Sequence, residues 1–252
     1  MSKYTYLKTL TRAGLLVPEF HKVRSSSEIK NLHVSKHQRH FAVRSSADVE
    51  DGIDFSFAGI FDSYLNIPKC DLEYYTDKVI ASSKKDVVIQ YCNRIKKNPS
   101  DIKMDVIIQE FIPFEISGIA FQDSTTTIIE CIYGLGEMLA NGDMEPDQIR
   151  VDTFGWINYR PAHQQIMQLP NPNDVGLMTT DVHFLKQSMR KLSISMIKKL
   201  IEIVSCVRGL LNTNVDMEWG YYQNKIYLVQ ARPLTTQVPS LNLFENENSF
   251  LG

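Results

Sequence analysis

No stretch of this 252-residue chain stays apolar for long enough to cross a membrane, and its first residues show no basic segment followed by an apolar one. Neither a membrane partner nor a secretion signal is expected. The four cysteines, Cys70, Cys92, Cys131 and Cys206, stand far apart and form no CxxC pair. That spacing speaks against a zinc site or a disulfide framework and for a reducing compartment, so the expected location is cytoplasmic. With 27 Lys and Arg against 29 Asp and Glu, the formal net charge is only -2. There is no basic footprint for nucleic acid, although a local phosphate site is compatible with this balance. Internal repeats and low-complexity linkers are absent, and only residues 240–252 look like a tail. What remains is ordinary globular material, 43% hydrophobic, enough for a sizeable core in one large domain or two intertwined subdomains.

The most informative stretch runs from Val215 to Trp219 and from Tyr227 to Pro233. Asp216, Glu218, Gln230 and Arg232 fall on one parity and Met217, Trp219, Val229 and Ala231 on the other, which is the period of half-buried strands. With Gln223-Asn224-Lys225 as the loop, the two strands form a β-hairpin that sets Asp216 opposite Arg232 and Glu218 opposite Gln230. A slip of one residue would scatter that set. Carboxylates and an amide on a rigid sheet suit Mg²⁺, a hard cation that completes its octahedron with phosphate and water oxygens. Arg232 would then neutralise phosphate with its bidentate fork. An exposed hairpin laced by cross-strand salt bridges accounts for the same spacing.

Elsewhere the chain is read in order. Tyr4, Leu7, Leu10 and Thr11 make a short helical stripe, with Lys3 just ahead of it and Ala13-Gly14 closing it. Residues 21–40 are polar, with His33, His37 and His40 at helical spacing; a solvated helix face is expected there. Phe41 to Arg44 reads as a strand that runs into Ser45-Ser46-Ala47-Asp48, where small hydroxyl residues and Arg44 suit an anion, and Ile60 to Asn66 reads as another strand. Residues 71–98 are expected as a helix, Lys103 to Ile112 and Thr126 to Tyr133 as buried strands, and Gln148 to Asp152 as a further strand. Gly134-Leu135-Gly136-Glu137 lacks the third glycine and the βαβ setting of a dinucleotide fingerprint. Asp181 to Leu211 reads as one long helix or two.

As an ordered set these motifs resemble the nucleotide-binding domain of phosphoenolpyruvate synthase and pyruvate phosphate dikinase, an ATP-grasp fold shared with rifampin phosphotransferase. The resemblance rests on Lys3 followed by Thr11-Arg12-Ala13-Gly14 and Val17-Pro18, on Val43-Arg44-Ser45-Ser46-Ala47, Glu50-Asp51 and Ser56-Phe57-Ala58-Gly59, and on Val106 to Gln109. It continues through Ser117-Gly118 with Phe121, Glu130, Gly134 to Glu137, Gly142, Pro146-Asp147, Asp216 to Trp219 and Gln230 to Pro233. What it implies is an α+β fold of two intertwined subdomains with antiparallel sheets over residues 1–239, divided near residue 105, with ATP and Mg²⁺ as cofactors.

The resemblance also implies roles. Lys3 and Arg44 would contact the ATP phosphates, and the loop from Ser45 to Gly59, with Ser56 in it, would close over them. The backbone of Gln109, Glu110 and Ile112 would meet the adenine edge, and Glu130 would lie where base or ribose is held. Glu218 and Gln230 would hold the metal, while Arg44, Asp216 and Arg232 would act on the reacting phosphates. The family's lysine follows two glycines, whereas Lys3 follows Met1-Ser2. The phosphohistidine signature and the phosphoenolpyruvate barrel of the family have no counterpart in these residues. The implied activity is therefore transfer of a phosphoryl or pyrophosphoryl group to a histidine on a separate partner protein. A stand-alone kinase or ligase with a small-molecule acceptor, or a non-catalytic ATP-binding module, are the other readings.

Overall fold

A computed structural model describes residues 2–34, 38–47, 60–94 and 98–234. Its frame is a pair of antiparallel sheets. The first is built from β1 (Phe20–Val23), β2 (His40–Ala47), β3 (Ser63–Pro68) and β4 (Met104–Glu110), in the order β1-β4-β2-β3. One of its faces carries Val23, Phe41, Val43, Val106 and Ile108, which pack against Leu72 and Val79 of helix α2 (Leu72–Ser82). Strand alternation then turns Ala42, Arg44 and Ser46 toward the opposite face.

The second sheet is six-stranded, in the order β12-β11-β5-β6-β7-β8. Its members are β5 (Ile116–Gln122), β6 (Thr126–Tyr133), β7 (Asp147–Asp152), β8 (Ile157–Arg160), β11 (Val215–Tyr222) and β12 (Lys225–Pro233). Helix α5 (Ile194–Leu211) covers one face with Ile197, Leu200, Val204 and Val207, packed on Ala120, Ile129, Val151, Met217 and Trp219. Burying each such side chain contributes about 1.5–3 kcal/mol, so this layer is what holds the hairpin's polar parity outward. A two-stranded unit, β9 (Ile166–Pro170) with β10 (Leu177–Asp181), stands beside the first sheet. Asn66, at a positive φ of 58°, fastens it by donating its amide to the carbonyls of Asn171 (3.1 Å) and Gly176 (2.9 Å).

The expected α+β class with antiparallel sheets is what the structure contains. Several local expectations are corrected. Residues 71–98 hold two helices, α2 and α3 (Asp86–Arg94), because the hydroxyls of Ser82 and Ser83 turn back to the carbonyls of Val79 and Ile80. The helices also serve different cores, with Val88 and Cys92 packing on Ala47 and Phe61. Among the described residues of 21–40 there is no α-helix: Phe20–Val23 pairs with β4, a 3-10 helix follows at Ser26–Asn31, and His40 begins β2; His37 lies outside the described residues. The helix expected from Asp181 starts only at Ile194, capped by the Ser193 hydroxyl, because residues 182–192 are tied to other elements. Val182 N–H donates to Gln165 O, and Lys191 donates to Asp147 Oδ1 at 2.5 Å. Strand β4 belongs wholly to the first sheet.

Lys191 and Asp147 have no exposed side-chain surface, and Asp147 also accepts from Ala162 N and from Tyr159 Oη. Removing one partner strands the other charge in the core. Lys191→Ala is therefore expected to lower stability by about 3–5 kcal/mol in urea unfolding. A loss below about 1 kcal/mol would contradict this account of the pair.

Candidate nucleotide and metal site

The hairpin of β11 and β12 has the pairing its parity demands, reached by a different route. The turn is the two-residue Gln223-Asn224, both at positive φ (48° and 62°), which is the type I′ pattern favoured by strand twist. A turn that short would shift the register by one. A bulge restores it, since Trp219 pairs with Leu228 while Glu218 pairs with Gln230, leaving Val229 as the extra residue. Asp216 then faces Arg232. Val229, expected in the core beside Met217, packs instead on the cluster of Ile112, Phe114 and Leu135 and turns its carbonyl to the site.

Arg44 joins this patch from the first sheet. Its Nη2 donates to Glu218 Oε2 at 2.9 Å and its Nη1 to Val229 O at 3.3 Å. Arg232 donates through Nε to Asp216 Oδ2 at 2.8 Å and lies 2.7 Å from the same oxygen through Nη2. Lys3 enters from helix α1 (Lys3–Arg12), donating to the carbonyl of Ser45 at 3.3 Å. Ser2 caps the helix, accepting from Thr5 N, so Lys3 occupies the first helical position.

The two carboxylates differ in electrostatics. Burial opposes the ionisation of Glu218, but the charge and hydrogen bond of Arg44, followed by Lys3 and Arg232, outweigh it and hold the carboxyl below its ordinary range. Burial pushes Asp216 up, and the charge and hydrogen bond of Arg232 oppose this without cancelling it. Glu137 at the start of α4 (Glu137–Ala140) is also raised by burial, with Arg44 pulling the other way. It lines a cavity of about 510 Å³ together with Ser63, Leu65, Gln168 and Leu177, and Ser63 is the cross-strand neighbour of Arg44.

The remaining expected residues are dispersed. Gln109 is buried on the same face as Arg44, its Nε2 without a partner among the described residues, and Glu110 N–H is held by Glu19 O. Ile112 packs on Phe114 and Leu135. Glu130 accepts from Gln148 at 3.1 Å and lies across Ile119 from Glu218, two strand spacings or about 10 Å away. The Ser45 side chain shares the parity of Val43 and Ala47 and points to the helix-covered face; its carbonyl is what the site uses. Ser56 and Gly59 lie outside the described residues. Glu137 and the Val229 carbonyl were not anticipated. The first sat in a motif that signalled family rather than contact, and the second depends on a bulge that parity alone conceals.

Among the described residues no cluster of three or more His, Cys, Asp or Glu side chains is placed to hold a metal. Glu218 beside the Gln230 amide offers hard oxygens that fit Mg²⁺, a cation that takes most of its ligands from phosphate and water. Lys3, Arg44 and Arg232 fit an anionic ligand.

The opposite shifts of the carboxylates give a test. The stability contributed by ionised Glu218 is present above its unfolded pKa of about 4.3 and is lost as pH falls through the lower folded value. Asp216, raised in the fold, gives the reverse: its favourable term is present below the unfolded value and fades as pH rises through the folded one. At neutral pH, Glu218→Gln is therefore expected to lower the melting temperature and Asp216→Asn to leave it equal or higher. Melting curves from pH 3 to pH 8 check both signs; the opposite order would overturn the electrostatic assignment.

Comparison with known proteins bears on this geometry. The profile of the family described as "Pyruvate phosphate dikinase, AMP/ATP-binding domain" matches residues 21–245. The chain is 28% identical over 244 residues to "Uncharacterized phosphotransferase YvkC" of Bacillus subtilis, covering 94% of this chain and 28% of that protein. It is 30% identical over 215 residues to the "Rifampicin phosphotransferase" of the same organism, covering 82% and 25%. A "Probable phosphoenolpyruvate synthase" of Methanocaldococcus jannaschii is 28% identical over 204 residues, covering 77% and 17%. The chain thus spans about a quarter or less of the length of these relatives. Among solved structures, an L-amino acid ligase from Bacillus licheniformis superposes with a TM-score of 0.48 at 12% identity, covering 92% of this chain and 42% of that one. With a family profile that matches most of its length, this chain, whose two antiparallel sheets meet at Arg44 and Glu218, belongs to the pyruvate phosphate dikinase AMP/ATP-binding domain family.

Proposed function

We propose that this chain is the ATP-binding module of a phosphotransferase, holding Mg-ATP between its two sheets and passing a phosphoryl or pyrophosphoryl group to a histidine on a separate protein. The observation that carries the reading is the contact of Arg44 with Glu218, because it brings a guanidinium of one sheet to the metal-type oxygens of the other. Asp216, Gln230 and Arg232 stand beside it on paired strands.

When bound, Mg²⁺ would neutralise phosphate oxygens and draw them toward Glu218 and Gln230. Arg44 exchanges its carboxylate partner for a phosphate oxygen, at little cost in geometry because its strand already aims it at the cleft. Arg232, oriented by Asp216, presents a planar fork to the group in flight. Lys3 adds a point charge from the start of α1. Phosphoryl transfer spreads charge over the equatorial oxygens of a loose transition state, so fixed cations lower the barrier with little covalent chemistry of their own. The cavity bordered by Ser63, Leu65 and Glu137 gives the nucleotide room beside Arg44.

Glu218→Ala and Gln230→Ala are expected to weaken ATP binding only moderately, by calorimetry, and to lower ATP turnover by about 100-fold or more. Arg232→Lys keeps the charge, loses the fork and should likewise cost most of the rate while the protein melts normally. Full turnover in both metal-site variants would sink the site. The acceptor is checked by mixing the protein and radiolabelled ATP with candidate histidine-bearing domains and scoring acid-labile label.

A further inference from the structure

The six-stranded sheet ends in a strand with an open edge. Among the described residues β8 pairs with β7 alone, from Val151 opposite Ile157 to Gln148 opposite Arg160. At the closing pair of this hairpin Asp152 N–H donates to Trp156 O at 3.2 Å. Hydrogen-bonded pairs alternate along an antiparallel ladder, so Asn158 and Arg160 turn their backbone groups to β7 while Ile157 and Tyr159 turn theirs outward. Those outward N–H and C=O groups have no partner among the described residues. A row of this kind is a template for another strand.

Large apolar side chains stand exposed at both ends of this edge. At one end is the β7–β8 turn, where Phe154 and Trp156 are 87% and 77% exposed. Asp152 Oδ1 accepts from the N–H of both, at 2.9 and 3.0 Å, and Gly155 takes the positive φ of 83° between them, so the turn backbone that carries the two rings is fixed. At the other end the chain leaves β8 toward His163 and Gln164, which hold residues 183–189 alongside. His163 Nδ1 lies 2.9 Å from Ser188 Oγ, and Gln164 N–H donates to Gln187 O at 2.8 Å. That segment presents Phe184 at 72% exposure, with Leu185 and Met189 also exposed. Grouped apolar side chains in water mark contact surfaces.

We infer that β8 and the apolar groups at its two ends form a self-association surface whose partner is a second copy of this chain, joined edge to edge about a two-fold axis. Antiparallel pairing of Ile157 with Tyr159 of the second copy, and the reverse, satisfies every outward backbone group on both strands. Asn158 then meets its own counterpart on the axis. Arg160, whose contact within the chain is the exposed Glu145 at 3.3 Å, falls opposite Trp156 of the second copy and sets a cation against an aromatic ring. The same two-fold carries the turn of Phe154 to the far end of the other β8, where Phe184, Leu185 and Met189 lie. Each apolar group therefore covers the other, and no like charges fall opposite along the paired strands. Six exposed aromatic rings, each carrying about 150–250 Å², bring the interface to about 1,000 Å², the size at which specific interfaces begin. The association does not depend on the nucleotide reading.

The experiment follows the full chain by sedimentation velocity and tryptophan emission from about 1 µM to 100 µM, the range in which small specific interfaces associate. The chain has two tryptophans and Trp219 is 1% exposed, so a shift in emission reports Trp156. A monomer–dimer equilibrium is expected, with emission moving to shorter wavelength as the dimer fills. Asn158→Asp sets like charges against each other on the axis, and Trp156→Ser removes the ring that faces Arg160. Each should raise the dissociation constant at least about tenfold while the variant melts like the dilute parent. Asn158→Cys places two thiols in a non-hydrogen-bonded pair, where Cα atoms stand about 4.5 Å apart and within disulfide reach. Mild oxidation should link that variant as a dimer faster than the parent, whose exposed thiols are Cys70 and Cys206. The inference is overturned if the chain stays monomeric throughout, if the dimer is indifferent to Asn158→Asp and Trp156→Ser, or if Asn158→Cys links no faster than the parent. It is equally overturned if the chain stays monomeric while Trp156 emission shifts on phospholipid vesicles, which would assign the surface to a lipid partner.

Discussion

Everything at the candidate site depends on one charged contact between the sheets, Arg44 Nη2 to Glu218 Oε2. Each partner is held by a strand whose other face is buried: Arg44 between Val43 and Ser45, Glu218 between Met217 and Trp219. Neither side chain can turn away without exposing core residues, so the position of the charge is guaranteed by packing rather than by the ion pair itself. A partly exposed pair contributes little stability on its own. Its importance lies in bringing together, across the cleft, the guanidinium of one sheet and the carboxylate of the other on which the proposed phosphate and metal roles rest.

The same logic explains why the two carboxylates behave differently. Both are desolvated, which disfavours charge. Glu218 gains Arg44, Lys3 and Arg232 and stays easily ionised, whereas Asp216 relies on Arg232 alone and is raised. The geometry thus divides the hairpin between a carboxylate whose ionised form is favoured and another that is held against a single guanidinium. The asymmetry arises from the side of the hairpin on which the first sheet lies, since Arg44 reaches Glu218 and not Asp216.

Much of the site was legible from local pattern. Two-residue alternation placed Asp216, Glu218, Gln230 and Arg232 together, and the structure preserves that grouping even though the turn is shorter than expected and a bulge at Val229 makes up the difference. The break between α2 and α3 was harder to read, because the polar run Ser82 to Asp86 contains no Gly or Pro to mark a helix end, while the two helices serve separate cores. The late start of α5 was equally hidden: residues 182–192 have apolar spacing compatible with a helix, but Lys191 is drawn to Asp147 on a distant strand. Local propensity loses to a buried charge pair there.

By itself the amino-acid sequence determined the α+β class, the strands that carry the polar hairpin, the face on which its functional side chains lie and the order of motifs that marks the family, because strand parity and motif order need no knowledge of long-range contacts. Only the tertiary structure decided that Arg44 meets Glu218, that Glu137 approaches Arg44, that the Ser45 side chain points away while its carbonyl receives Lys3, and that Glu130 stands about 10 Å from Glu218. Arg44 and Glu218 are separated by 174 positions in the chain. Contacts at that range are set by how two sheets pack against each other, and no periodicity within either segment encodes the distance between them.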